Sequence, residues 1–302
     1  MALQKLSGTD AFVVIDLDGA PIADGVVRLA RKVLVDGARN LARSRTYAWA
    51  LLGEQISGAS AGINAEGDAR EAACAAFVEE LTPQVSAGTL SLDPAKGLTS
   101  TDLAGLTAAD QRSTVLHDDP TLHDRLLASG VVAAASVALG SLDGATIALE
   151  GAGSATDAVE SAFVAAGSTI AGRDADALSS AADALVCGSK VGLVDHETAA
   201  ALPHRVIVPI GPLPVTARGL AVARRRDIVV LPDFLTTAGP LMAFRSNGTS
   251  ADDLLATAAD RISGLTAELT DHPDGPLLGA CIRAETYLAT WRDELPFGRP
   301  LA

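Results

Sequence analysis

The stretch that most constrains this chain is Glu150-Gly151-Ala152-Gly153-Ser154-Ala155-Thr156, a glycine turn between an apolar run, Ala145 to Leu149, and a helical stretch, Ala158 to Ala166. Further short apolar runs follow at Thr169 to Ala171, Ala184 to Val186, Val206 to Val208 and Ile228 to Leu231, with an alanine-rich helix predicted over Ala175 to Ala182. Brief apolar strands alternating with helices predict an α/β fold with a parallel, doubly wound sheet. In such a fold the first glycine makes the tight turn and the second lets a pyrophosphate approach the backbone. An acid about 20 residues on accepts hydrogen bonds from a ribose. Asp174 follows Gly153 by 21 residues, and Thr156 stands where a third glycine would pack helix against strand.

The first half reads differently. Ala11 to Gly19 is an apolar run ended by a turn signal, hence a strand. Val33 to Leu52 carries apolar residues at helical spacing, and Ala69 to Leu81 is a second helix. The small residues Ser57 to Gly62 permit a close backbone approach. Thr101 to Asp124 is polar and rich in turn formers, which predicts an interdomain loop before the apolar helix Leu126 to Leu139. At 302 residues the chain exceeds one comfortable core, so two domains of roughly 130 to 160 residues are expected. The expected boundaries are 1–126 and 127–274, with a C-terminal helix over 275–302 packing back on the first domain.

Composition excludes several classes. A net charge of -14, with no basic tract interleaved with aromatics, argues against nucleic acid. Arg224-Arg225-Arg226 ends an alanine-rich segment and reads as the last turn of a helix, complementing its dipole. No run approaches the ~18 uninterrupted apolar residues of a membrane span, and Met1 to Asp10 lacks the apolar core of a signal peptide, so no membrane and a cytoplasmic protein are expected. Cys74, Cys187 and Cys281 form no CxxC pair, which argues against disulfides and zinc. The His117-Asp118-Asp119-Pro120 and His123-Asp124 stretches lack the helical spacing of a metal site, so no metal is expected.

Taken in order, the segments resemble the glutamate/leucine/phenylalanine/valine dehydrogenase family, most closely its leucine and phenylalanine branch. Ala23-Asp24-Gly25-Val26-Val27-Arg28 resembles the family's AxGGxR segment, and Thr46-Tyr47-Ala48-Trp49-Ala50-Leu51 its MTYKxAL helix. Gln55 to Gly62 stands where the family has the PLGGxKG loop, and Ala128-Ser129-Gly130 is similar to ATG at the head of the helix entering the nucleotide domain. Val194 to Thr198 resembles VNDET, and Pro232 to Gly239 resembles PDxxxNAGG. The resemblance implies an N-terminal α/β oligomerisation-type domain followed by a Rossmann-like nucleotide-binding domain. It further implies an NAD(P) cofactor contacted by Ser129, Gly151, Gly153, Ser154, Asp174, Cys187 and Gly188.

The family's reactive residues are replaced. Its substrate-gripping lysine falls on Ala48, the lysine that polarises the reacting centre on Ser60, and its catalytic aspartate on Ala95. Oxidative deamination needs a cation beside the developing oxyanion and a general acid/base, and none of these three side chains can serve. A one- or two-residue shift in alignment would bring Asp93 or Lys96 into play. Thr237 and a position near Pro212 replace two asparagines that face the nicotinamide. Val186-Cys187-Gly188-Ser189-Lys190 replaces the family's PCA stretch, and a thiol near a lysine in a cleft can be activated. The plainer reading makes Lys190 a solvated loop residue and Cys187 a small buried one.

Three readings follow. The first is an amino-acid-dehydrogenase-like protein without ordinary deamination, repurposed for altered chemistry, ligand binding or regulation. The second is a divergent NAD-dependent oxidoreductase using Asp93, Lys96 or Lys190, and the third a noncatalytic interaction subunit. Weak binding of NAD in preference to NADP is expected, because the Asp174 charge would repel a 2'-phosphate. A small-molecule or nucleotide ligand and a homodimer or larger even assembly complete the expectation.

Overall fold

The computed structural model describes every residue except 113, 114, 120, 152 and 247, and only the backbone of 117 and 118. The chain divides into two compact units, Met1–Arg112 with Ala284–Pro300, and Ser113–Arg283 with Leu301–Ala302.

The first unit holds β1 (Ala2–Lys5), β2 (Ala11–Ile15), β3 (Ala23–Ala30), α1 (Val35–Leu51), β4 (Ser57–Asn64), α2 (Ala69–Ser86), β5 (Leu90–Pro94), a 3-10 turn at Ser100–Leu103 and α3 (Ala104–Ala109). Its sheet runs β1-β2-β4-β3-β5, with β1, β2 and β4 paired antiparallel and β3 parallel to both β4 and β5. Strand alternation splits the residues between two faces. Val27, Ala61, Ile63 and Leu92 pack toward Phe77, Leu81 and Val85 of α2, while Phe12 and Val14 pack with Ala38 and Ala42 of α1.

The Ser57 to Gly62 stretch, aligned above with a loop, is instead the central strand β4. What passes close to it is α1. A Cβ on Gly58 would lie 1.9 Å from the Ala42 carbonyl oxygen, so only glycine lets helix and strand meet there. The supposed linker over 101–124 also holds structure, since Leu103 and Leu106 are buried in the first core. Two well-placed leucines outweigh a polar, turn-rich composition, because burial rather than average polarity decides order.

The second unit holds α4 (Val115–Asp118), α5 (Leu122–Leu139), β6 (Thr146–Leu149), α6 (Ser154–Ala165), β7 (Thr169–Arg173), β8 (Ala184–Cys187), α7 (His196–Ala201), β9 (Val206–Pro209), α8 (Ala217–Arg225), β10 (Val229–Val230), α9 (Asp233–Thr236), a 3-10 turn at Gly239–Ala243 and α10 (Ala251–Thr270). Helix α11 (Gly275–Leu288) begins in this unit and ends in the first. It stops at Leu288, short of the helix expected to 302, and the remaining residues form an irregular tail in which Arg299 pairs with Glu285. The sheet order is β10-β9-β8-β6-β7, all parallel. Every residue of β8 and β9 is buried, as expected of a parallel sheet covered on both faces. Helix α5, by length and composition apolar enough to cross a membrane, packs against α10 and α6.

The helix expected over Ala175 to Ala182 is only a 3-10 turn at Asp174–Leu178. Asp174 sits at φ 50, and Ser180 returns its hydroxyl to the Asp176 carbonyl, so local side-chain bonding closes the turn before alanine propensity can propagate a helix.

Candidate nucleotide crevice

Strand β6 lies between β7 and β8, so the chain turns to opposite sides after its first and second strands of this sheet. Open α/β sheets receive ligands at such a switch point, outside the carboxyl ends of the strands. The glycine turn is there. Gly153 caps α6 at φ 99 with open space where a side chain would be, and Ser154 beside it is exposed. Such a cradle suits a phosphate, because helix N-terminal amides and the dipole both favour negative charge.

Asp174 follows β7 directly and is exposed. Arg173 donates to Glu160, whose carboxylate raises the guanidinium pKa from its ordinary value. The arginine run closes α8. Arg226 donates to the carbonyls of Ala199 and Leu202 at the end of α7, at 2.7 and 2.8 Å, and Arg224 lies near the Pro273 carbonyl. The helix-terminal reading of that run describes these contacts well.

A residue outside the expected site set stands at the carboxyl end of β6. Glu150, 7% exposed, sends its carboxylate from the end of β6 across to the loop after β8. There it accepts the N–H groups of Gly188 and Ser189, at 3.1 and 3.2 Å, and the Ser189 hydroxyl. A charged residue closing an apolar strand was the signal available in the sequence. Cys187 is sealed beneath, with burial first and the Glu150 charge second pushing its thiol far above the ordinary range, which does not suit a thiolate nucleophile. Lys190 is exposed. Ser129 is half-buried and donates its hydroxyl to the Leu255 carbonyl of α10, at 3.1 Å. The segments resembling ATG and NAGG owe part of their character to packing. A Cβ on Gly239 would lie 2.1 Å from the Leu126 carbonyl oxygen of α5.

In the first unit Ala48 is buried in α1, and Ser60 is fully buried in β4 with its hydroxyl unpartnered. Ala95 continues the β3 ladder, donating to the Val27 carbonyl. Asp93 is held by Arg112 at 2.8 Å, and Lys96 is exposed. Arg112 also bonds Asp110 and reaches the fully buried Asp24, which in addition accepts from Arg45 and Trp49. The sequence reading missed this network, whose members are spread from residue 24 to residue 112. Pro120 and the side chains of His117 and Asp118 lie outside the described residues. Among the described residues no three His, Cys, Asp or Glu side chains gather as a metal would require.

Two α/β units, the second a doubly wound parallel sheet with a glycine turn at its switch point, define the amino-acid dehydrogenase fold. The chain is similar to a leucine-bound, hetero-hexameric glutamate dehydrogenase from Thermus thermophilus, at 16% identity and a TM-score of 0.76, covering 97% of this chain and 89% of that one. It is also similar to L-tryptophan dehydrogenase from Nostoc punctiforme, at 15% identity and a TM-score of 0.69, covering 96% of each. Glutamate dehydrogenase from Plasmodium falciparum matches at 11% identity and a TM-score of 0.74, covering 94% of this chain and 80% of that one. No protein-family model and no curated protein sequence matches the chain.

Proposed function

We propose that this is an amino-acid-dehydrogenase-like protein, nearest the leucine and phenylalanine branch, that binds a nucleotide weakly and does not carry out ordinary oxidative deamination. What supports this reading is that Ala48, Ser60 and Ala95, at the positions aligned with the family's reactive residues, carry no titratable group, the first two being buried, while Gly153 at the start of α6 has open space around it. Gly151, Gly153 and Ser154 would hold the phosphates, Asp174 the ribose, and Gly188 would line the far side. A nicotinamide, when bound, supplies hydride chemistry; this chain's residues would supply orientation only. NAD is preferred to NADP, since Asp174 is exposed and Arg173 donates to Glu160.

Self-association accompanies this reading. Edge strand β1 leaves its outer side unpaired among the described residues, with Leu3 exposed, and a second copy would cover it. That edge also favours the alternative of an interaction subunit in a mixed assembly. The cytoplasm is the proposed compartment.

Calorimetry with NAD, NADP, ADP and ADP-ribose tests the binding, and absorbance of reduced nicotinamide with leucine, valine, phenylalanine and glutamate tests the chemistry. Binding in the high micromolar to millimolar range is expected. No binding below about 5 mM, a free energy of only ~3 kcal/mol, overturns the nucleotide reading. Turnover near 1 s⁻¹, within the ordinary enzyme range, overturns the loss of deamination.

A further inference from the structure

Strand alternation puts Val26 and Arg28 of β3 on the face of the first sheet away from α2, since Val27 and Leu29 belong to the core that α2 covers. Ser60 and Gly62 of β4 share that face, because Ala61 and Ile63 belong to the same α2 core. Register pairs Val26 with Ser60 and Arg28 with Gly62, so Arg28 and Ser60 are diagonal neighbours. A strand spacing of about 4.8 Å and a two-residue rise of about 6.6 Å set their Cα atoms about 8 Å apart. Both side chains carry unmet polar atoms. The Arg28 Nε and Nη2 and the Ser60 hydroxyl are buried without a hydrogen-bond partner among the described residues. Burial alone acts on the Arg28 pKa, lowering it, with no carboxylate pulling the other way. Asp93, opposite Val26 on β5, is held by Arg112. Arg28 and Val26 are nevertheless partly exposed as residues, which gives solvent and solutes access to this face.

Nε and Nη2 make up one edge of the guanidinium fork, and Arg43 in the same unit shows what that edge does when it is satisfied. It grips Asp16, Nε to Oδ2 and Nη2 to Oδ1, both at 2.8 Å. The match is specific because guanidinium edge and carboxylate are both planar. Beside Arg28 the surroundings are apolar: a Cβ on Gly62 would lie 2.7 Å from both Phe12 Cζ and Val33 Cγ1. One cation in such a setting neutralises one negative charge, and a dianion would bury an unpaired excess. We infer that Arg28 and Ser60 form a binding site for a small aliphatic monocarboxylate, the guanidinium edge holding its two oxygens and the Ser60 hydroxyl donating to one of them. Ala48 stands at the aligned carboxylate-gripping position, so Arg28 is a different anchor. The site lies within the first unit and does not depend on the nucleotide crevice.

Titration of the full chain with isobutyrate, followed by ligand-observed NMR, tests this, with isobutyramide and inorganic phosphate as comparison ligands. Isobutyrate should saturate with a Kd below about 20 mM, and the other two should bind at least about tenfold more weakly. Arg28→Lys keeps the charge but loses the paired edge, and should weaken isobutyrate binding about tenfold. Ser60→Ala removes one donor and should weaken it about fivefold. Arg28→Met should abolish it, with an unfolding midpoint in carboxylate-free buffer no lower than the parent chain's. If Arg28→Met does not fold, Arg28→Lys and Ser60→Ala carry the same comparison. Isobutyrate affinity within about twofold of the parent's in every folded variant, or no saturation of the parent chain by about 100 mM, overturns the site. Phosphate or isobutyramide binding as tightly as isobutyrate overturns its assignment to a monocarboxylate.

Discussion

The two sheets handle charge in opposite ways. In the first unit, charge sits within the packed sheet and helix layers: Asp24 is fully buried with Arg45 at 2.6 Å and Trp49 at 3.0 Å, and Asp16 is held by Arg43 at 2.8 Å. Arg28, on β3, has Nε and Nη2 buried without partners, and burial lowers its pKa from the ordinary value. In the second unit, β8 and β9 are wholly apolar, and carboxylates stand at strand ends and loops, where they take backbone N–H groups. Asp183 accepts from Thr146, and Asp233 from Leu213. A buried ion pair must overcome the desolvation of two charges, whereas a loop carboxylate satisfies donors that would otherwise go unpaired. The first unit therefore pairs charge with charge inside its packing, and the second spends its carboxylates on backbone donors at strand ends and loops.

The largest test of that contrast is Asp24→Ala. It takes from Arg45 and the Trp49 indole the carboxylate they donate to, and from Arg112 one of its three carboxylate partners, and should destabilise the protein by about 3–5 kcal/mol in denaturant unfolding. A loss below about 1 kcal/mol, the scale of an exposed pair, would mean that the network behaves as surface charge.

A smaller effect of opposite sign is expected at Arg28. Replacing it with Met keeps a long apolar stem and removes the orphaned guanidinium nitrogens, which should raise the unfolding free energy by about 1 kcal/mol. A decrease of similar size would show that the guanidinium is answered by a bound anion or water, and an accompanying loss of small-anion stabilisation would identify the anion.

The smallest effect lies in the second unit, where His204 is 2% exposed with neither ring nitrogen hydrogen-bonded. Burial lowers its pKa from 6.5, and outweighs the opposite pull of the nearby Ser180 and Ala177 backbone. The folded state thus prefers the neutral ring. Its contribution is fully present above about pH 6.5 and is lost as the pH falls from there toward the lowered folded value, with a slope of at most about 1.4 kcal/mol per pH unit for one proton. His204→Leu should flatten stability between pH 6.5 and 5. The separate acid loss from Asp183 and Asp195, whose pKa values backbone bonds lower, should remain below about pH 4. If the slope persists in the variant, another group carries it.

Much of the second sheet was legible because its signals are local. The apolar run before Gly151, the turn itself and the helix after it lie within some twenty residues, and β6, α6, β7 and β8 formed within a few residues of their expected limits. The arginine run likewise closes α8 as expected. The first unit was harder to read because small residues are ambiguous. Ser57 to Gly62 can serve as a ligand loop or a tightly covered strand, and only the approach of α1 decides between them.

By itself, then, the sequence determined the strand–turn–helix rhythm, the glycine cradle, the absence of titratable groups at Ala48, Ser60 and Ala95, and the balance of charge. Those follow from residue type and short spacing. Tertiary structure alone decided that Cys187 is sealed, that Ser60 lies inside the first core, and that Glu150 reaches Gly188 across 38 residues of chain. Burial and long-range hydrogen bonds depend on which segments the sheet order places side by side, and that order is a property of the packed whole rather than of any local stretch.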